Sequence, residues 1–279
     1  MRRDLNITQG PSKPPAVSVG SVRFGGDAPL ALIAGPCVAE SLDMALRTAE
    51  ALCEITARHG VPWVFKTSFD KANRTSIHSF RGPGMVEGLK ILRAVRERFD
   101  VPVTTDVHLP EQARPVADVV DLLQIPAFLC RQTDLLVACA KTGLPVNVKK
   151  GQFVAPSAMG PAIEKLEAAS GVLVTERGTT FGHGDLVVDY RSIPILHDLG
   201  VPVVFDATHS VQRPAGGGSR TTAERCFVST LARAAVAAGA DAIFAEVHPD
   251  PTAAKSDADS QLSFEMLAAE LPMWIDCGR

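Results

Sequence analysis

The chain has 279 residues, a length that one large α/β barrel fills without a second domain. Apolar residues make up 46% and charged residues 21%, so a packed core is expected and global disorder is excluded. The formal net charge of −3 excludes a broadly basic surface for nucleic acid or for an anionic membrane, so any anion site must be local.

The first stretch, residues 1–15, is polar and contains Gly, Pro and Lys, and we expect a flexible N-terminus there. Its charges are not followed by an apolar segment, so a signal peptide is not expected. The most apolar later stretch, 231–247, is interrupted by Arg233, Asp241 and Glu246, which argues against a membrane span. Six cysteines without a CxxC pair are typical of reduced thiols, and these features together predict a cytoplasmic protein.

Residues 16–26 carry two short alternating apolar runs around Gly20 and Ser21, a pattern that predicts a β-hairpin. From Leu30 onward, runs rich in Val, Ile and Phe alternate with segments of helical periodicity. These runs lack in/out alternation, as expected of parallel strands that are buried on both faces. Eight of them are present, at 30–35, 63–69, 101–107, 119–126, 145–150, 172–178, 201–209 and 242–248.

The first helical segment begins at Ser41, a predicted N-cap, and ends near Gly60. The others are predicted at 85–99, 132–143, 162–171, 191–200, 222–240 and 261–274. Repeated strand-then-helix units predict a (β/α)8 TIM barrel, with residues 16–279 as one catalytic domain that includes the hairpin. An open doubly wound sheet is the alternative, but LIAGPCVAES after the first strand lacks the glycine fingerprint of that fold.

Nearly every predicted strand ends in a polar or titratable residue, where barrel enzymes carry their chemistry. One such residue would be an ordinary solvated strand end, but a whole set converging on one mouth predicts an active site. The set is Cys37, Lys66, Asp106, Gln124, Lys149, Lys150, Arg177, Asp206, His209, Glu246 and His248.

Cations are concentrated at or beside this mouth. Because the protein is negatively charged overall, the cluster predicts an anionic substrate with phosphate and carboxylate groups. Any one of them has the alternative of being a surface residue, but Lys66 and Lys149 lie within apolar runs where a charge needs a partner. The six cations are Lys66, Lys71, Arg74, Lys149, Lys150 and Arg177.

Cys37, His209, Glu246 and Asp257 form a second set. In a closed barrel the eighth strand adjoins the seventh and the first, so these four residues are expected at neighbouring positions. They could hold a divalent transition metal with one position left for water or substrate. From the residues alone, a metal-free site with Cys37 as a small buried residue and His209 as a general base remains an open alternative.

Long motifs make the chain recognisable: LIAGPCVAES, FKTSFDKANRTSIHSFRGPG, TDVH, QIPAFLCRQTDLL, NVKKGQF, TERGTTFG, FDATHSVQRP and FAEVHPDP. Between Ala31 and Leu262 the sequence closely resembles the 3-deoxy-D-manno-octulosonate 8-phosphate synthases, also called 2-dehydro-3-deoxyphosphooctonate aldolases. The resemblance implies condensation of phosphoenolpyruvate with D-arabinose 5-phosphate for lipopolysaccharide inner-core synthesis, with release of phosphate and without a lysine Schiff base. It also implies a homotetrameric barrel whose N-terminal hairpin closes the bottom.

The resemblance implies roles for individual residues. Phosphoenolpyruvate would be bound by Lys71, Lys149 and Arg177, with Lys66, Asp106, Gln124 and Gln152 as further substrate-binding residues. The pentose phosphate would be bound by Asn73, Arg74 and Thr75 of the KANRTS motif, with Arg74 reaching across a subunit interface. The catalytic residues would be Lys149, His209, Cys37 and Asp257.

The family has a metal-dependent class with Cys in the GPC motif and a metal-independent class with Asn there. Cys37 resembles the metal-dependent class, and His209, Glu246 and Asp257 match the remaining ligands. One divalent transition metal, Zn, Fe, Mn or Co, is therefore implied as the cofactor.

Three alternatives remain. The nearest is 3-deoxy-D-arabino-heptulosonate 7-phosphate synthase, which uses a four-carbon sugar phosphate; KANRTS in place of its KPRTS favours the five-carbon acceptor. The second is a Schiff-base aldolase that uses Lys66 or Lys149, and the third is a non-enzymatic sugar-phosphate binding protein. Two stretches, VQRPAGGGSRTTAERCF and SDADSQL, depart from the usual family pattern beside the expected site.

Overall fold

The computed structural model describes residues 13–74, 76–180, 185–217 and 220–278. The first elements are β1 (Val17–Val19) and β2 (Val22–Phe24), an antiparallel pair that confirms the predicted hairpin. The predicted flexible N-terminus, residues 1–15, falls mostly outside the described ranges. It therefore stays a prediction, as does the division of the chain into that segment and one domain.

Eight parallel strands then close into a barrel, with the last strand in sequence lying between the first and the seventh. Their residues are almost all buried, which explains the continuous apolar runs in the sequence. The barrel strands are β3 (Ala31–Gly35), β4 (Trp63–Lys66), β5 (Val103–Asp106), β6 (Leu122–Ile125), β7 (Val146–Lys149), β8 (Val172–Glu176), β9 (Val203–Asp206) and β12 (Ala242–Glu246). The predicted (β/α)8 barrel is confirmed.

Helices follow the strands around the outside. They are α1 (Leu42–Ala57), α2 (Met85–Phe99), α3 (Ala113–Ala117), α4 (Thr133–Ala140), α5 (Gly160–Glu164), α6 (Ser192–His197), α7 (Val228–Ala237) and α8 (Phe264–Asp276). Ser41 caps the first of these as predicted, because its side chain accepts a hydrogen bond from the Met44 amide. No helix within the described ranges is long and apolar enough to cross a membrane.

Two helix predictions need correction. An antiparallel ribbon, β10 (Gln212–Gly217) and β11 (Arg220–Ala223), occupies the start of the helix predicted at 222–240, so the helix there begins only at Val228. The helix predicted at 162–171 instead runs from Gly160 to Glu164 and ends in turns. The short α3 was not predicted, since five residues that include Pro115 give almost no periodic signal.

The hairpin closes one end of the barrel. Val19 and Phe24 are buried in a cluster with side chains from the barrel interior, including Leu122 and Phe244. A Cβ atom on the turn residue Gly20 would lie 2.9 Å from Pro102, which directly precedes β5, so the hairpin packs against the N-terminal ends of the strands. The predicted closure of the bottom is confirmed, and the C-terminal ends of the strands are left for a site.

Candidate active site

A cavity of about 630 Å3 opens at the C-terminal ends of the barrel strands. Most residues that the sequence nominated for substrate and metal line it together: Lys66, Lys71, Asn73, Arg74, Asp106, Gln124, Lys149, Gln152, Arg177, His209 and Asp257. Cys37 and Glu246 are buried behind this lining, in contact with Asp257 and Lys71 respectively. Thr75 lies outside the described residues.

Glu246 ends strand β12 and is wholly buried among cations. Its Oε1 atom accepts a hydrogen bond from Lys66 Nζ at 3.1 Å and lies 3.8 Å from Lys71 Nζ. Burial raises the pKa of Glu246, but Lys66, Lys71 and His209 outweigh it, so that pKa lies below its usual value. The site therefore holds this carboxylate in its ionised form, ready to act as a ligand or an acceptor.

Cys37 follows β3 and is hydrogen-bonded to the loop after β12. Its Sγ atom donates to Asp257 Oδ2 over 2.9 Å. Burial and the adjoining carboxylates of Asp257 and Glu246 raise the pKa of Cys37 well above its usual range. Burial also raises the pKa of Asp257, but His209 and Lys71 bring it down to about 2. The pair is thus a protonated thiol facing an ionised carboxylate.

These residues fit a transition-metal site. The ligand atoms of Cys37, Glu246 and Asp257 all lie within 4.8 Å of one another. Glu246 Oε2 is buried and has no hydrogen-bond partner among the described residues, so an acceptor is left over where a cation would need one. One sulfur and two carboxylate oxygens are donors that suit a transition metal better than Mg2+.

His209, the fourth predicted ligand, lies beside this group but is not part of it. Its Nε2 atom is 3.8 Å from Glu246 Oε1, while its Nδ1 atom is 2.8 Å from Asp206 Oδ2. A carboxylate on one imidazole nitrogen leaves the other free, an arrangement common in histidines that bind metals or move protons.

Lys149 shares Asp206 with that histidine. The Lys149 Nζ atom lies 2.6 Å from Asp206 Oδ2 and 3.7 Å from the centre of the Phe244 ring. Burial lowers the pKa of Lys149, an effect that the Asp206 carboxylate opposes. The sequence placed Asp206 at a strand end without a role, and its three-residue spacing to His209 was the signal that the two could pair.

A hydrogen-bonded chain of polar side chains runs along four neighbouring strands, from β5 to β8. Gln124 Nε2 donates to Asp106 Oδ1 at 2.5 Å, and Gln124 Oε1 accepts from Asn147 Nδ2 at 3.1 Å. Thr175 donates in turn to Asn147. These hydrogen bonds orient the Gln124 amide so that its nitrogen, and not its oxygen, points at Asp106. Asn147 was not predicted, although a lone amide within the apolar strand β7 was a usable signal.

Arg177, which follows β8, is connected to Asp257, one of the predicted metal ligands, through the side-chain amide of Gln212. Arg177 Nη2 donates to Gln212 Oε1 at 3.2 Å, and Gln212 Nε2 donates to Asp257 Oδ1 at 3.0 Å. Arg177 Nη1 and Gln152 Oε1 are both buried without a hydrogen-bond partner among the described residues. This unused donor and acceptor line the cavity and are available to a ligand. Sequence reasoning assigned no role to Gln212, although this residue lies within the FDATHSVQRP motif.

Arg74 contacts the loop after β12 of its own chain. Its Nη1 atom donates to Ser256 Oγ at 2.7 Å, and its Nη2 atom donates to the Lys255 carbonyl at 3.0 Å. These contacts connect the loop after β4 to the segment that carries Asp257. The expectation that Arg74 serves a neighbouring subunit stays a prediction.

Lys150 does not belong to the substrate-facing cations, and that prediction is wrong. Its side chain is wholly buried, and its Nζ atom lies 3.5 Å from Glu176 Oε1 rather than in the lining of the cavity. The side chains of Lys149 and Lys150 point to opposite sides of the chain, since successive residues at a strand end alternate in direction.

Comparison with known proteins identifies the family of this chain. The model of the DAHP synthetase I family matches residues 7–278. The chain belongs to this family.

Curated relatives that carry the name 2-dehydro-3-deoxyphosphooctonate aldolase match most of the chain, and three of them serve as examples. The protein from Nitratidesulfovibrio vulgaris strain DP4 is 60% identical over 242 residues, which are 86% of this chain and 89% of that protein. The one from Trichlorobacter lovleyi is 56% identical over 259 residues, 92% of this chain and 93% of that protein. The one from Synechococcus is 55% identical over 250 residues, 89% of this chain and 88% of that protein.

Proposed function

We propose that this protein condenses phosphoenolpyruvate with D-arabinose 5-phosphate and water to give 3-deoxy-D-manno-octulosonate 8-phosphate and phosphate, a step of lipopolysaccharide inner-core synthesis. One observation carries the proposal: a protein of net charge −3 gathers six lysine and arginine side chains around a single cavity. They are Lys66, Lys71, Arg74, Lys149, Arg177 and Lys255. Two phosphorylated substrates, one of which also bears a carboxylate, match this concentration of positive charge. The shared name of the curated relatives supports the same reaction.

The enol phosphate would lie against Lys71, Lys149 and Arg177. Arg177 keeps one unpaired donor, Nη1, beside a second that is held by Gln212, so its fork can bind a phosphate or carboxylate in a fixed orientation. Gln152 Oε1, which lacks a hydrogen-bond partner among the described residues, lines the same cavity and can accept a hydrogen bond. Asn73, Arg74 and Thr75 remain the residues proposed for the phosphate of the pentose.

In the reaction, C3 of the enol phosphate bonds to the aldehyde carbon and water adds at C2. The C2–O bond then breaks to release phosphate. The aldehyde oxygen gains a proton while the attacking water loses one. Lys149, held by Asp206 at 2.6 Å, is an ammonium group placed to supply the first proton. Cationic neighbours stabilise the negative charge that develops on the substrate oxygens.

A lysine Schiff base is not part of this proposal. The Lys66 Nζ atom lies 3.1 Å from Glu246 Oε1 and the Lys149 Nζ atom lies 2.6 Å from Asp206 Oδ2, so each amine is paired with a buried carboxylate. A protonated amine is a poor nucleophile towards a carbonyl carbon. These lysines therefore serve as positive charges and proton donors.

Cys37, Glu246 and Asp257, with His209 beside them, would hold a divalent transition metal such as Zn, Fe, Mn or Co. A bound metal of this kind supplies a Lewis acid that polarises a substrate oxygen. Lys66 and Lys71 keep Glu246 ionised for this role. Gln212 orients the Asp257 carboxylate by donating a hydrogen bond to its Oδ1 atom.

A cytoplasmic homotetramer completes the proposal. Large apolar side chains are exposed in loops that follow the barrel strands, among them Ile77, Phe128 and Phe153. Ile77 is 89% exposed and lies in the same loop as Arg74, which is the residue expected to reach a neighbouring subunit. An apolar contact there would bring a partner to the mouth of the barrel.

A phosphate-release assay tests the function. Phosphoenolpyruvate is supplied with arabinose 5-phosphate or with a four-carbon sugar phosphate, each with and without a chelator. We expect phosphate release with the five-carbon acceptor, much less with the four-carbon acceptor, and loss after chelation that added Mn2+ or Co2+ reverses. Preference for the four-carbon acceptor would assign the heptulosonate reaction instead, and undiminished turnover after exhaustive chelation would remove the metal from the proposal.

A further inference from the structure

Lys150 is a fully buried amine that the proposed reaction does not use. Its Nζ atom donates to the carbonyls of Gly151, Val154 and Gly178 over 3.2–3.4 Å. The first two carbonyls belong to the loop after β7, and the third belongs to the loop after β8. One ammonium group therefore ties together two loops that border the cavity.

Glu176 completes this arrangement from the end of β8. Its Oε1 atom lies 3.5 Å from Lys150 Nζ and accepts hydrogen bonds from the backbone amides of Arg177 at 2.9 Å and Gly178 at 2.6 Å. The backbone on which the Arg177 side chain is mounted is thereby fixed by the carboxylate that neutralises Lys150. The buried amine and the buried carboxylate need each other, because either charge alone would be costly to bury.

Each of the two loops carries one cavity residue with an unused polar atom. Gln152 lies between the two carbonyls that Lys150 holds in the loop after β7, and Arg177 directly follows Glu176. Gln152 Oε1 is a buried acceptor and Arg177 Nη1 a buried donor without a hydrogen-bond partner among the described residues. A further backbone bond, from the Thr180 amide to the Gln152 carbonyl at 3.2 Å, connects the same loops.

We propose that Lys150 and Glu176 are a pair of positioning residues that set the placement of Arg177 relative to Gln152, and through it the binding of the enol phosphate. This inference rests on the proposed function. It assigns Lys150 a task different from that of the neighbouring Lys149, which faces the cavity. The pair acts on one substrate only, because its contacts lie on the loops after β7 and β8 and not on the loop that carries Asn73 and Arg74.

A steady-state phosphate-release assay with Lys150→Met tests the proposal. Met is similar in length to Lys but cannot donate to the three carbonyls. We expect the KM for phosphoenolpyruvate to rise roughly tenfold, while the KM for arabinose 5-phosphate changes little. If Lys150→Met does not fold, the charge-neutral variant Lys150→Met/Glu176→Gln replaces it, since Gln can still accept the two backbone bonds. Circular dichroism and thermal melting establish folding.

A double-mutant cycle separates positioning from general destabilisation. In an Arg177→Lys background, Lys150→Met should raise the KM for phosphoenolpyruvate less than about twofold, because the residue through which it acts has already lost its fork. His197→Met is the matched control: it removes the side-chain partner of Asp241, a carboxylate that also accepts a backbone amide but lies at the closed end of the barrel. That control should leave both KM values unchanged.

The outcomes are distinct. Equal effects of Lys150→Met in both backgrounds, equal rises in both KM values, or the same rise in His197→Met would overturn the positioning role. An unchanged KM for phosphoenolpyruvate in a folded Lys150→Met enzyme would do the same while the wild type still releases phosphate, so that the proposed function survives. A wild type that releases no phosphate from these substrates would instead reject the proposed function itself.

Discussion

At the scale of single residues, buried charged side chains indicate where the candidate active site lies. Lys66, Lys149 and Lys150 all lie at strand ends in the interior, yet each is held by a different carboxylate, and only the first two line the cavity. Sequence reasoning could place all three at the mouth from their position after apolar strands. It could not decide which way Lys150 points, because direction depends on the local pleat and on a partner from another strand.

Cys37 supplies the thiol on which the proposed metal binding depends. Cys37→Ala should reduce bound metal to background and lower turnover at least about a hundredfold, since it removes the one sulfur donor from the set. Cys37→Asn should retain some activity that no longer needs metal, because the metal-independent class carries Asn at this position. Elemental analysis and assays with and without chelator measure both.

Cys139→Ala is the control for that experiment. Cys139 is equally buried but lies on α4, away from the cavity. Loss of metal from Cys139→Ala as well would show that burial of a thiol, and not its place beside Asp257 and Glu246, governs metal content.

Asp106 should make stability depend on pH. Burial raises its pKa, but Lys66 and Lys71 outweigh burial and hold that pKa well below the usual value. The ionised carboxylate therefore stabilises the fold fully above the unfolded pKa of about 3.9, and this contribution is lost as the pH falls through the folded pKa. Asp106→Asn should be less stable than wild type by about 3 kcal/mol at pH 7, with a smaller difference at pH 3.

Urea unfolding at the two pH values measures that difference. Asp118→Asn serves as the control, because the Asp118 side chain is exposed and forms an i,i+4 pair with Arg114. A deficit of Asp106→Asn that is the same at pH 3 and pH 7 would contradict the assignment of the ionised form.

Among the elements, the strands were the most predictable. Runs such as 201–209 and 242–248 are rich in Val, Ile and Phe, and burial on both faces leaves no polar residue to confuse the signal before the strand ends. The ribbon of β10 and β11 could not be predicted, since its Gly-rich sequence carries no apolar alternation. The first residue of this ribbon, Gln212, nevertheless belongs to the candidate active site, because its side chain connects Arg177 to Asp257.

The hairpin of β1 and β2 should contribute to stability and not to chemistry. Phe24 is wholly buried against the barrel interior, so Phe24→Ala should lower the free energy of unfolding by about 3–5 kcal/mol. Turnover measured well below the melting temperature should stay near that of the wild type, because the hairpin lies at the end opposite the cavity. A selective rise in either substrate KM in the folded variant would contradict this separation.

At the scale of the whole molecule, substitution of Arg74 tests whether each active site is formed by one chain or by two. Arg74→Ala and Lys149→Ala should each be nearly inactive alone. If Arg74 serves a neighbour, co-assembled mixtures should regain activity, since some sites would combine an intact Lys149 with an intact Arg74. Phosphate release from co-expressed and separately purified variants measures the gain. Mixtures no better than either parent would restrict Arg74 to its own chain, where it holds Ser256 and Lys255.

Because the hairpin closes one end of the barrel, it also limits the route by which substrates and products reach the cavity. In the described part of the chain, the pocket has its opening at the loops and a packed layer of Val and Phe side chains at the other end. Both proposed substrates would enter and both products would leave through this one opening. A substrate bound deep in the cavity would have to arrive before one bound nearer the opening. The closed end therefore favours ordered binding in the proposed reaction.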